Sequence, residues 1–202
     1  MVVEDSRTSA LERREQLLVV ARTIFAERGY RATTMDDVAA AAGFTKPILY
    51  QHFSSKEALY NEIVQTAGAR LIDGLAEVTK DRTTARQMVE RAFEVFFSVV
   101  VNDSASFRLL FLQPHEGAQV SELRRIENRL TSLIEELLPT TSDPRARRQY
   151  AAAIVGLAEG AATAWLVQRE NEGFPPVPDN EVVHLAERFA AMAWGGLRTL
   201  MP

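Results

Sequence analysis

The chain has 202 residues, 47% of them hydrophobic and 25% charged, with a formal net charge of −4. That is the composition of a folded globular chain with room for a sizeable core, and it excludes disorder. The absence of Cys excludes disulfides and thiolate chemistry. The start, MVVEDSRTSALERREQ, is too charged for a signal peptide, and no apolar run reads as transmembrane length. The expectation is a soluble cytoplasmic protein with no membrane partner. Residues 1–60 hold eight basic and eight acidic side chains, so any phosphate binding must come from a few placed residues and helix N-termini.

In chain order, residues 1–9 are polar and expected to fray. From 10 to 28, Leu17, Leu18, Ala21, Ile24 and Phe25 recur at helical spacing. Gly29 follows where a C-terminal cap belongs. Thr34 opens a second helix, with Asp37 three residues on as in a capping box and Met35, Val38 and Ala39 as its inner face. Gly43 breaks it. Thr45 begins a third helix, TKPILYQHF, in which Pro47 is tolerable in the first turn. Ser54 is read as the cap of a fourth helix, with Glu57 as its box partner and Phe53 as the flanking hydrophobe; this helix carries Leu59, Ile63, Val64, Ala67 and Leu71. TKDRTT is a linker.

Further helices follow. One carries the stripe Val89, Ala92, Phe93, Phe96, Phe97 and Val100. A short segment, 105–112, is apolar almost all round. A break at 113–117 contains Pro114, His115 and Gly117, and His115 is either solvated or part of a gating loop. Val120, Leu123, Ile126, Leu130, Leu133, Ile134, Leu137 and Leu138 make the next stripe, ended by Pro139. Residues 145–170 form a long helix with an Ala- and Gly-rich centre. A Pro-rich loop precedes the last helix, 179–197. No strand pattern appears, so the fold class is all-α.

Two short helices around Gly43, with a third supplying apolar backing, make the layout of a helix-turn-helix, whose second helix enters the major groove by its N-terminal end. Thr45 suits either a cap or a groove contact, and Lys46 either a guanine edge or a phosphate. Tyr50 and His52 can donate to phosphates. Lys56 opposes the dipole of its own helix, which makes sense if a phosphate sits opposite. The stretch TIFAERGYRATTMDDVAAAAGFTKPILYQHFSSKEALYNEI resembles the DNA-binding domain of the tetracycline-repressor (TetR) family. The resemblance rests on Phe25, Gly29-Tyr30, Thr33-Thr34, Asp37-Val38-Ala39, Ala42-Gly43, Leu49-Tyr50, His52-Phe53, Lys56-Glu57 and Leu59, and spans residues 10–65.

The resemblance implies double-stranded operator DNA as partner, a homodimer and a C-terminal effector pocket. Carried onto matching positions, it implies DNA contacts by Thr34, Thr45, Lys46, Tyr50, His52 and Lys56. Many members have a small residue where this chain has Pro47. The TKPILYQHF wording looks most like members that govern lipid metabolism. The implied division is a DNA-binding domain at 10–54, a connecting helix at 55–80 and an effector-binding and dimerisation domain at 81–202. Gly156, Ala158, Gly160, Ala161, Ala162 and Ala164 permit close helix approach, either across a dimer or within one chain. Val183, Ala186, Phe189, Ala190, Ala193 and Trp194 mark one side of the last helix as its counterpart in the dimer.

Phe93, Phe96, Phe97, Phe107, Phe111 and Trp165 are the candidate pocket wall, or plain core. Glu159, a charge in GLAEGAA, pairs across a dimer or meets the polar end of an effector. A small-molecule effector, largely apolar, is expected. Glu159 favours a cationic or hydroxyl-bearing one, whereas the lipid-regulator resemblance favours an acyl compound whose carboxylate must avoid Glu159. His52, His115 and His184 share no metal-ligand spacing, and there is no Gly-rich phosphate loop, so neither cofactor, metal nor enzyme is expected. The leading reading is a ligand-released repressor. The alternatives are a ligand-dependent activator of the same fold and a helical interaction module without DNA binding.

Overall fold

Gly29 is where the first helix loses its right-handed geometry, with φ 80° and ψ 163°, a region that side chains with a Cβ rarely adopt. The computed structural model describes residues 2–80, 84–113, 118–138 and 143–198. The expected features at Pro114, His115, Gly117 and Pro139 lie outside these residues. Helix α1 is Val2–Ala32, bent at Gly29. It starts earlier than expected because residues 2–28 contain no Pro or Gly to stop it. Of its expected stripe, Leu17, Ala21, Ile24 and Phe25 are buried and Leu18 is half-buried.

Helix α2 is Met35–Ala41 and α3 is Lys46–His52. Thr34 caps α2 in a reciprocal capping box with Asp37, as expected. Gly43, at φ 74°, turns the chain between α2 and α3. Helix α4, Lys56–Lys80, is started by Ser55 and not by Ser54: Ala58 N donates to Ser55 Oγ at 3.0 Å and Leu59 N to Ser55 O at 3.1 Å. The third helical residue is then Ala58, which has no carboxylate to complete the box expected with Glu57.

Helix α5, Ala85–Asn102, begins in a Thr84–Gln87 capping box. Asp103 caps the single turn α6, Ser104–Phe107, which runs on into a π-helical turn over Arg108–Leu112. Helices α7 (Ala118–Leu137), α8 (Pro144–Asn171) and α9 (Glu181–Arg198) complete the fold, and no strand occurs among the described residues. The apolar stripes of α4 and α5 are buried throughout, and so is that of α7 except at Val120, which is exposed.

Two expectations change. Ala186, Ala190 and Ala193 of α9 are buried within the chain, and Phe189 packs on Phe97 of α5 with ring centroids 5.7 Å apart. That side of α9 therefore serves the intramolecular α5–α9 contact. Outward lie Val183, Met192, Gly195 and Gly196. Second, Arg145–Asn171 is long and apolar enough by length and composition to cross a membrane, although only 28% of that window is buried. Its hydropathy comes from Ala together with Ile154, Val155, Leu157, Leu166 and Val167, interrupted by Gly156, Glu159 and Gly160.

Helix α4 is gripped from both sides at glycines. A Cβ on Gly68 would lie 2.5 Å from Ile126 Cδ1 of α7, and one on Gly74 would lie 2.7 Å from Val95 Cγ1 of α5. Ile126 is itself buried and cannot yield cheaply. Gly68→Ala should therefore destabilise the fold by about 1–2 kcal/mol in chemical denaturation, overpacking outweighing the gain in helix propensity of about 1 kcal/mol. A variant as stable as the parent, or more so, would contradict this packing.

Candidate functional site

The N-terminal helices are held by an aromatic trio. Phe25 and Tyr60 meet edge-on at 5.2 Å, and Tyr30 and Tyr60 at 5.0 Å. Burial pushes the Tyr60 hydroxyl up to about 12, so it stays protonated. Lys56 Nζ donates to Tyr30 O at 2.8 Å and Thr33 O at 2.9 Å, and lies 4.3 Å from the Tyr30 ring centroid. These carbonyls lie past the bend at Gly29, in the segment that leads into α2, and the ammonium satisfies them. The puzzle of a lysine in the first turn of α4 is thereby answered within the chain. One of its three N–H groups remains for another acceptor.

Of the other expected DNA contacts, Thr34, Thr45, Lys46 and Tyr50 are exposed and His52 is half-buried. The Thr34 hydroxyl is committed to its cap, donating to Asp37 Oδ2 at 2.6 Å while accepting from Asp37 N. Thr45 occupies the cap position of α3 but its side chain makes no capping hydrogen bond, which leaves the hydroxyl for a groove contact. Lys46 and Tyr50 lie four residues apart on α3 and so project from one face. Lys46 Nζ is paired with Asp36 Oδ2 of α2 at 2.9 Å, a partner not foreseen.

A second site lies in the C-terminal helices. A narrow cavity opens between α4, α5, α7, α8 and the π-helical turn. The centre of a water molecule can visit about 40 Å³ of it. Its wall is Leu71, Leu75, Ala92, Phe93, Phe96, Phe111, Leu130, Ile134, Ile154, Val155, Ala158 and Glu159. Phe93, Phe96, Phe111 and Glu159 were expected there. Phe97, Phe107 and Trp165 are not on this wall. Phe97 backs α9, Phe107 packs edge-on to Phe96 at 6.1 Å, and Trp165 Nε1 donates to Glu181 Oε1 at 2.6 Å. The aliphatic wall was missed because Leu and Ile at helical spacing read as ordinary core.

The comparisons fit this geometry. The family model for bacterial regulatory proteins, tetR family, matches residues 17–63. The chain is 35% identical over 193 residues to the HTH-type transcriptional activator FasR of Mycolicibacterium smegmatis, covering 92% of this chain and 83% of that protein. The chain belongs to the TetR family. The HTH-type transcriptional repressor KstR2 of Rhodococcus jostii is 49% identical over 61 residues, 30% of each chain. Among solved structures, a TetR-like regulator from Rhodococcus sp. RHA1 superposes with TM-score 0.72 at 29% identity, over 92% of this chain and 96% of that one. FadR of Bacillus subtilis in complex with stearoyl-CoA superposes with TM-score 0.75 at 17% identity, over 90% of this chain and 98% of that one. The protein is thus a DNA-binding transcriptional regulator of the TetR family.

Between the two sites of this TetR-family chain runs one short segment. At its start, Asp103 accepts from Ser106 N and Oγ, pairs with Arg22 of α1 at 2.5 Å, and has Arg70 of α4 at 3.7 Å. At its end, Gln113 Nε2 donates to Ala26 O of α1 at 3.1 Å. Between them Arg108 pairs with Glu170 of α8, and Phe111 faces the cavity. A wall residue of the cavity and two attachments to the DNA-binding helices therefore sit on eleven consecutive residues, 103–113.

Glu159 is half-buried, and its carboxyl has no hydrogen bond or ion pair among the described residues. Burial, and secondarily the charge of Glu127, push it up to about 7 from its ordinary value of 4.5. The folded chain then holds a proton that the unfolded chain has already lost, so stability falls as pH rises from about 4.5 through about 7. Glu159→Gln removes the ionisation. Melting temperatures of variant and parent should draw apart in the variant's favour as pH rises from about 4.5, most of the change falling below about pH 7. A difference constant across that range would rule out the raised carboxyl.

Proposed function

We propose that the chain is a homodimeric, cytoplasmic regulator whose operator affinity is set by a long acyl group carried as a thioester. Residues 10–54 read DNA, 55–80 connect, and 81–202 bind ligand and the second subunit. The observation that carries this reading is the cavity, whose wall is apolar apart from Glu159. A carboxyl titrating near 7 is protonated in about half of the molecules at neutral pH and can donate a hydrogen bond. Glu159 therefore does not demand a cationic ligand. A thioester has no carboxylate to be repelled. The stearoyl-CoA complex of the FadR neighbour supports the same class.

The dimer reading rests on an open face. Gly156, Gly160, Ala164 and Val167 of α8 are exposed, and a Cβ on either glycine would meet nothing. Small residues at this spacing suit a second helix at close range. Gly160→Arg should give a folded monomer by size-exclusion chromatography with weakened operator binding. A variant that remains dimeric would remove α8 from the interface.

The test of the ligand reading uses stearoyl-CoA and the duplex that the wild-type protein enriches from random DNA. Stearoyl-CoA should raise the melting temperature of the free protein and lower its affinity for that duplex by about five- to hundredfold. Stabilisation without any change in DNA affinity would defeat the reading. The double variant Arg22→Met, Gln113→Ala should still bind stearoyl-CoA but respond less at the DNA, because both attachments of 103–113 to α1 are cut. An unchanged response would take this segment out of the coupling.

The sense of control has two readings. Repression requires only that a bound dimer occupy a promoter. Activation is favoured by the similarity to FasR over most of the chain. A footprint over the promoter supports the first, and one upstream of it the second.

A further inference from the structure

We propose that Asp36 is a specificity-determining residue of the DNA interface, suppressing binding to arbitrary sequence more than binding to the operator through its ion pair with Lys46. The proposal rests on the reading of Lys46 as a DNA contact.

Asp36 lies in the first turn of α2 and Lys46 opens α3, and the two charged atoms are 2.9 Å apart. Both side chains are exposed, at 64% and 53%, so the pair sits at the surface that the helix-turn-helix turns to DNA. The neighbouring acid is already occupied: Asp37 is held by Thr34 and by Arg28 at 3.8 Å. Among the described residues neither Asp36 nor Lys46 has another ion-pair partner. The pair bridges α2 and α3 but is not needed for their packing, which rests on buried Val38, Ala39 and Leu49.

On arbitrary DNA, Lys46 meets a phosphate at every register but a guanine edge only at some. Leaving Asp36 for a phosphate exchanges one anion for another, and the abandoned carboxylate then faces the like-charged backbone. The usual gain from neutralising a phosphate and releasing its counterion is largely cancelled. An operator with a guanine in reach offers the O6 and N7 acceptors together, in a geometry that a phosphate does not present. That contact compensates for breaking the pair where a phosphate does not. The balance matters here because residues 1–60 carry as many acidic as basic side chains, so removing a single carboxylate takes each DNA-binding head from neutral to one net positive charge.

The experiment measures equilibrium affinity of the full-length protein for a random-sequence duplex and for the duplex enriched by the wild type, across a salt series. Asp36→Asn should strengthen binding to the random duplex by about fivefold and steepen its salt dependence by about one phosphate per head. Binding to the enriched duplex should change by less than about twofold. In a Lys46→Gln background the same substitution should have little effect on either. Equal strengthening on both duplexes would overturn the proposal. So would an Asp36→Asn effect of the same size with and without Lys46, since Asp36 would then act as a simple repulsive charge. If Lys46→Gln by itself alters neither affinity nor the enriched sequence, the reading of Lys46 fails and the proposal falls with it. Melting curves of the variants should match the parent, because an exposed pair contributes little to folding.

Discussion

One continuous helix joins the two sites. Helix α4 runs from Lys56 to Lys80 with no Pro and no break in its geometry. Its first turn is tied to the carbonyls of Tyr30 and Thr33, and its later turns give Leu71 and Leu75 to the cavity wall. A rigid rod cannot tilt at one end only. Whatever displaces Leu71 must therefore move Lys56 and the helices it holds, or break α4, and the glycines that seat α4 against α5 and α7 leave it little room to do either.

The second link, residues 103–113, differs in kind. It is a single α-turn followed by a π-turn, with hydrogen bonding less regular than in a long helix. Its attachments are polar: Arg22 to Asp103 and Gln113 to Ala26 O. The Arg22 Nε is buried with no hydrogen-bond partner, a cost that folded chains rarely accept without a reason. An inflexible rod and a more adaptable strap thus join the same two regions. On the proposed coupling, the rod would limit how far the DNA-binding helices travel, and the strap would select which position is held.

Much of this was legible in the sequence, for local reasons. Thr34 with Asp37, Gly43, and the stripes of α1, α4 and α5 follow from capping chemistry and helical period, and each falls where the residues put it. The errors arise where a choice depends on neighbours far along the chain. Ser54 and Ser55 are both competent caps, and only the path of the backbone selects Ser55. The apolar side of α9 reads equally well as a face for α5 or for another subunit. Trp165 looks like pocket lining until Glu181 and Arg169 are seen around it. Lys56 looks like a free cation because the carbonyls it binds, those of Tyr30 and Thr33, belong to backbone, which carries no signature in residue type. The cavity itself is a small shortfall in packing among residues indistinguishable from core.

That shortfall sets a tempo. The space between α4, α5, α7 and α8 admits the centre of a water molecule over only about 40 Å³, far less than an acyl chain displaces. Entry of the proposed ligand would therefore wait for the helices to part, a collective motion of microseconds to milliseconds or slower. Exit waits for the same event. Occupancy then follows the average supply of ligand over the interval between openings rather than its momentary concentration. If the proposed acyl ligand binds here, the tightness of the walls would make the regulator a slow reporter, averaging over brief fluctuations in acyl supply.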